Sequence, residues 1–169
     1  MVSTDSAALQ REQHMLSDDV FRDRLEQTLV DLEAWASGMR DCAEVEIIVS
    51  PRYWRMSVAP HIAGACSFEL MINSNQTFSL RLASEVYENR PLDRFDFFLK
   101  LVNAIADGRV ERTKTRNALT GVLLAIGMRV EIEDGWDWIG ARRVTPEPLP
   151  ALEAEEIRDT HRFLPYRRH

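Results

Sequence analysis

The chain has 169 residues, 45% of them hydrophobic and 28% charged, with a net charge of −6. A chain of this length buries about 70% of its unfolded surface, so it needs neither a disulfide nor a metal to hold a core. The acid excess works against nucleic acid as the main partner, and two cysteines, Cys42 and Cys66, are too few for a disulfide scaffold.

Met1 to Gln10 shows no basic start followed by an apolar run, and the longest apolar run, Val122 to Ile126, is far too short to cross a bilayer. A cytoplasmic location is therefore expected. Charge is uneven along the chain. Residues 1–43 carry four basic and nine acidic side chains, whereas residues 109–145 carry seven and five.

Residues 1–16 are polar and read as a flexible or short-helical start. Ser17 stands as an N-cap, with Asp18 and Asp19 in the first turn, where carboxylates favour the helix dipole. Phe21, Leu25, Leu29, Leu32 and Trp35 then recur at helical spacing, and Gly38 suits a left-handed position past the end, so a helix is predicted over 18–37.

Val45, Ile47 and Val49 alternate with Glu44, Glu46 and Ile48 as a strand, which Ser50-Pro51-Arg52 breaks. Tyr53 to Ala59 resumes extended structure. Phe68, Leu70 and Ile72, then Phe78, Leu80 and Leu82, form a hairpin about a turn at Asn73–Gln76.

Asp93 is a second N-cap candidate, and Phe95, Phe98, Leu99, Val102 and Ile105 give a second helix over 93–107, closed by Gly108. Val110 to Arg116 alternates with polar residues on both sides and reads as an exposed or edge strand. Residues 117–128 are ambiguous between strand and helix, with length favouring a strand. Asp134-Gly135 is a tight-turn pair, and Trp136 begins the returning strand. Three prolines between Pro146 and Pro150 make a stiff spacer, followed by a short acidic helix over about 151–161 and a mobile tail.

Short hairpin connections dominate, without sustained βαβ alternation. The expected fold is α+β, a largely antiparallel curved sheet of six to eight strands with two main helices packed on one face. The folded unit is expected over 17–145, with 146–169 as spacer, helix and tail. The expected core is Phe21, Leu25, Leu29, Leu32, Val45, Ile47, Val49, Phe68, Leu70, Ile72, Phe98, Val102 and Ile105.

No phosphate loop, nucleophile elbow or zinc-protease motif occurs, and no cofactor or metal is expected. Cys42, His61 and Cys66 lack the paired spacing of a zinc site; a buried cysteine and a surface histidine explain them more simply. Cys66 with His61 as base is the sharpest enzyme idea, and whether the chain is an enzyme stays open.

Tyr53, Trp54, His61, Cys66 and Trp138 are the candidate lining of a small-molecule pocket between sheet and helices. Arg112, Lys114 and Arg116 form a basic stripe at period two. Charge guarding of an edge explains that stripe better than nucleic-acid binding, which ranks last. Tyr53 and Trp54 point to opposite strand faces, so one is expected to be partly exposed or to lie under a helix; an exposed one would suit as an anchor for a protein, but cover for both is the simpler reading. The leading expectation is a non-enzymatic interaction or regulatory module of a small cytoplasmic protein of bacterial type, binding a protein or itself as a homodimer. A filled core would favour that module, and a deep pocket would favour the ligand binder.

Overall fold

A computed structural model describes residues 16–133, 135–145 and 155–167. The expected N-terminal segment, apart from Leu16, and the proline spacer lie outside them. Chain order is α1 (Asp18–Met39), β1 (Ala43–Val49), β2 (Tyr53–Pro60), β3 (Phe68–Asn73), β4 (Thr77–Leu82), β5 (Glu85–Pro91), α2 (Phe97–Ala106), β6 (Val110–Asn117), β7 (Leu123–Glu133), β8 (Trp136–Arg143) and β9 (Glu156–Arg162).

The α+β class and the antiparallel pairing are as expected, but the strands form two sheets. The first is a meander, β1-β2-β3-β4-β5, and the second has the order β8-β7-β6-β9. Every strand pairing within both sheets is antiparallel.

Period-two alternation turns one face of each sheet inward. Trp54, Met56 and Val58 of β2, Phe68, Leu70 and Ile72 of β3, and Phe78, Leu80 and Leu82 of β4 are all buried. From the second sheet, Val110, Met128, Val130 and Ile132 join the same apolar cluster, with both helices contributing to it. α2 is the most apolar element: Phe97, Phe98, Leu101, Val102, Ala104, Ile105 and Ala106 are all buried. It packs against α1 and β7, and Phe98 sets its ring edge-on to Phe78 of β4 at 5.3 Å.

Several expectations need correction. α1 runs to Met39 and its cap Arg40 is right-handed, so Gly38 lies inside the helix. α2 begins at Phe97 rather than Asp93, because Arg94 forks onto Asp96 at 3.2 and 2.8 Å and Phe95 packs on Phe21 at 5.6 Å. Val49 is not core: it is 74% exposed at the end of an edge strand. Val45, Ile47, Leu25 and Leu29 pack only partly against the core.

β6 is not an edge. It lies between β7 and β9, and residues 118–122 form the connection to β7. The helix expected over 151–161 is, in its described part, strand β9, paired along β6 from Glu111–Arg162 to Asn117–Glu156. Tertiary pairing has overridden the helix-forming composition there.

The described end of the chain is pinned. The Phe163 N–H donates to the Val110 carbonyl, Leu164 to Gly64 and Tyr166 to Ala106. The Tyr166 hydroxyl, buried, donates to the Cys66 carbonyl, and Arg167 reaches the Gly38 carbonyl and Asp41. This strap crosses so closely that a Cβ on Gly108 would meet the Pro165 nitrogen at 2.7 Å, and φ there is +78°. Glycine is required at that helix end on both counts.

Candidate functional site

The five residues expected to line one pocket do not converge. Tyr53 is half-buried on the outer face of the first sheet. Trp54 faces inward and donates its indole N–H to Glu33 at 3.3 Å. His61 is exposed beyond β2, its backbone N–H on the Cys42 carbonyl at 2.9 Å. Cys66 is wholly buried, and its thiol donates to the Ser67 carbonyl at 3.3 Å. Burial pushes that thiol up to about 12. Both cysteines are free, and no cluster of metal-ligating side chains occurs among the described residues.

A buried, protonated thiol is a poor nucleophile. In the folded chain Cys66 should react with a disulfide reagent at neutral pH about a thousandfold more slowly than a free thiol. Ordinary reactivity should return in denaturant. A folded-state rate matching that of free cysteine would restore the nucleophile idea.

The basic stripe does share one face, set among strand neighbours of mixed character. Register puts Arg112 beside Met128 and His161, and Lys114 beside Ile126 and Asp159. Arg142 shares that face through Ile126, whereas Arg129 and Arg143 lie on the opposite one. Arg116 donates to the Gly121 carbonyl at 3.3 Å.

Polar groups converge instead at the seam where edge strand β5 meets edge strand β8. Arg142 donates Nε and Nη2 to the two oxygens of Glu85, each at 2.9 Å. The Glu85 side chain is only 4% exposed. That fork holds the Glu85 carboxyl below its ordinary value. Two residues on, Tyr87 lies against Gly140, where a Cβ would come within 2.5 Å of the ring, and edge-on to Trp138 at 5.0 Å. Burial, with Glu85 nearby, pushes the Tyr87 phenol up to about 12. The Tyr87 hydroxyl and the Arg112 Nε are buried with no hydrogen-bond partner among the described residues.

The seam opens at one end into a cleft of about 300 Å³, whose lining includes Arg90, Asp93, Arg94, Phe97, Trp136 and Trp138. Trp136 and Trp138 project from one face of β8 because they are two residues apart. Both side chains are partly buried against the core, and both rings are braced. The Arg94 guanidinium stacks 4.0 Å from the Trp136 ring centre, Lys100 lies at 5.5 Å, and Phe97 packs at 5.9 Å. Arg90 has no ion-pair partner among the described residues. Of the expected site residues, only Trp138 belongs here. Trp136 carried the same period-two signal, while Glu85, Tyr87 and Arg90 lie on β5, a strand whose charged sequence gave no sign of itself.

Comparison with family models, with curated proteins and with solved structures found no match for this chain. No helix among the described residues is long and apolar enough to cross a membrane.

Proposed function

We propose that the chain is a non-enzymatic protein-interaction module of the cytoplasm and that a partner protein seats a side chain in the β5–β8 cleft. The carrying observation is the pair of braced, partly buried indoles, Trp136 and Trp138, in a cleft that Arg90 also lines. Rigid aromatic and arginine side chains in a concave site are what interface hot spots are made of. Immobilised rings have already lost their rotamer freedom, so binding costs less. The Tyr87 ring, edge-on to Trp138, carries a buried hydroxyl with no hydrogen-bond partner among the described residues, so the fold gives up some stability beside the cleft.

A small-molecule reading attaches to the same cleft through Trp138. The described buried residues between the sheets and helices form one apolar cluster. The cleft is a surface feature at the small end of the range for ligand pockets, roughly 300–1,000 Å³. Both points favour the protein partner.

A photo-crosslinking residue at Ile139, which is 63% exposed on the cleft wall, tests the reading in cells. It should trap one recurrent protein, and Trp136→Ala should abolish the adduct. The same probe at Val86, exposed on β5, should not trap that protein. Equal trapping at both positions, or an adduct indifferent to Trp136→Ala, would count against the cleft.

A further inference from the structure

The two open sheets end in four edges: β1 and β5 on the first, β8 and β9 on the second. Three of them are guarded. β5 carries a left-handed residue, Asn89, at φ +54°, and ends in Pro91. β8 is seated against β5 by the Glu85–Arg142 fork and the Tyr87 ring. β9 carries Glu156, Arg158, Asp159, His161 and Arg162, a charged edge that resists pairing. β1 differs. Its sequence is Ala43-Glu44-Val45-Glu46-Ile47-Ile48-Val49, and Val49 is 74% exposed.

The hairpin fixes which backbone groups of β1 are free. The Ser50 N–H donates to the Tyr53 carbonyl at 2.9 Å across a two-residue turn, and the His61 N–H donates to Cys42 at 2.9 Å at the other end. Hydrogen-bonded pairs alternate along an antiparallel ladder. Glu44, Glu46 and Ile48 therefore bond to β2, and Ala43, Val45, Ile47 and Val49 direct N–H and C=O outward. The Arg40 guanidinium, 3.5 Å from the Val45 carbonyl, reaches that outward side.

A row of outward backbone groups is a template for another strand, and on β1 pairing would displace, among the described residues, only the long Arg40 contact to the Val45 carbonyl. Two copies of one strand pair antiparallel about a two-fold axis, and facing residues must lie on the same sheet face. Registers centred on Glu44, Val45 or Glu46 oppose carboxylates. The register centred on Ile47 opposes Val45 to Val49, Glu46 to Ile48 and Glu44 to Ser50, with no like charges face to face. Centring on Ile48 shortens the overlap.

We propose that the β1 edge is a self-association surface whose occupant is a second copy of this chain, paired antiparallel about Ile47. Val49 then leaves solvent and packs on Val45 of the second copy. The five-stranded meander continues across the axis as one sheet. This surface does not involve the Trp136–Trp138 cleft, so either proposal can fail while the other stands.

Sedimentation equilibrium of the full chain over the micromolar range tests it. The mass should rise with concentration from 19.5 kDa to twice that value and stop there, because a two-fold pairing closes. Val49→Lys changes a side chain already in solvent and should weaken association about tenfold or more. Ile47→Pro removes an outward N–H while sparing the ladder to β2, and should leave a folded monomer. Facing residues of a hydrogen-bonded pair have Cα atoms about 5.5 Å apart, within disulfide reach. Ile47→Cys should therefore form a disulfide-linked dimer on mild oxidation and Val49→Cys should not, with native Cys42 and Cys66 buried and silent. A chain that stays monomeric throughout, a mass that climbs without limit, or a dimer untouched by Val49→Lys and linked through Val49→Cys would each overturn the proposal.

Discussion

Phe98→Ala should lower the unfolding free energy by about 3–5 kcal/mol, the largest loss expected from a single truncation in this chain. Phe98 has no exposed surface and lies on the helix that both sheets enclose. Its ring meets Phe78 of β4 edge-on at 5.3 Å and its neighbour Phe97 at 5.4 Å, while α2 itself packs on β7. Removing the ring leaves a cavity that neither sheet can fill without pulling away from the other. Leu99, one residue on, is 36% exposed, and its truncation should cost less than about 1 kcal/mol. Urea unfolding measures both: the Phe98→Ala midpoint should fall with the slope retained. Equal midpoints for the two variants would mean that α2 is not enclosed as described.

Arg142→Met should be clearly destabilising at neutral pH, because it strands the Glu85 carboxylate at a position 4% exposed. Arg142 itself is half in water, so the loss reflects the abandoned carboxylate more than the ion pair's own strength. The acid dependence follows from the direction of the Glu85 shift. Its folded-state value lies below the ordinary 4.5, so the unfolded chain takes up the proton first. The fork's contribution is intact above that ordinary value and is lost as pH falls through the lower folded one. Without Arg142, burial raises the Glu85 carboxyl instead, so the variant's deficit should narrow on acidification. Adding Glu85→Gln to Arg142→Met should recover much of the neutral-pH loss. Urea midpoints at neutral pH and about pH 4 read both effects. A deficit that widens in acid, or no recovery in the double variant, would contradict the pairing.

Elements with one dry face and one wet face were legible in the sequence. α1, β2, β3 and β4 carry that alternation, and their inward residues, from Phe21 and Leu32 to Ile72, are buried. β5 was not legible. Its inward positions are Glu85 and Tyr87, and its outward Val86 inverts the usual pattern, because the inward face meets a polar seam. β6 looked like an edge for a related reason: its inward positions Arg112 and Lys114 are charged, although they lie beside buried Met128 and Ile126. β9 was read as a helix since only its partner strand makes it extended. The seam lay beyond reach for a geometric reason. Glu85 and Arg142 are 57 residues apart, and only the pairing of β7 with β8 decides that Arg142, not Arg143, faces inward. Trp138 was found by its aromatic alternation with Trp136. Tyr53, Trp54, His61 and Cys66 were grouped by proximity in sequence, which the meander spreads over opposite faces of one sheet.

Native-state amide hydrogen exchange on the wild-type and Phe98→Ala chains tests most directly the central claim, that both sheets close over one core and carry their surfaces on it. The most protected amides of β3, β4, α2 and β7 should open with a common free energy, and Phe98→Ala should lower it by the same amount in both sheets. If β6 to β9 instead exchange through a separate, weaker opening that ignores Phe98→Ala, the sheets are independent units, and the seam between β5 and β8 is not a fixed feature of the fold.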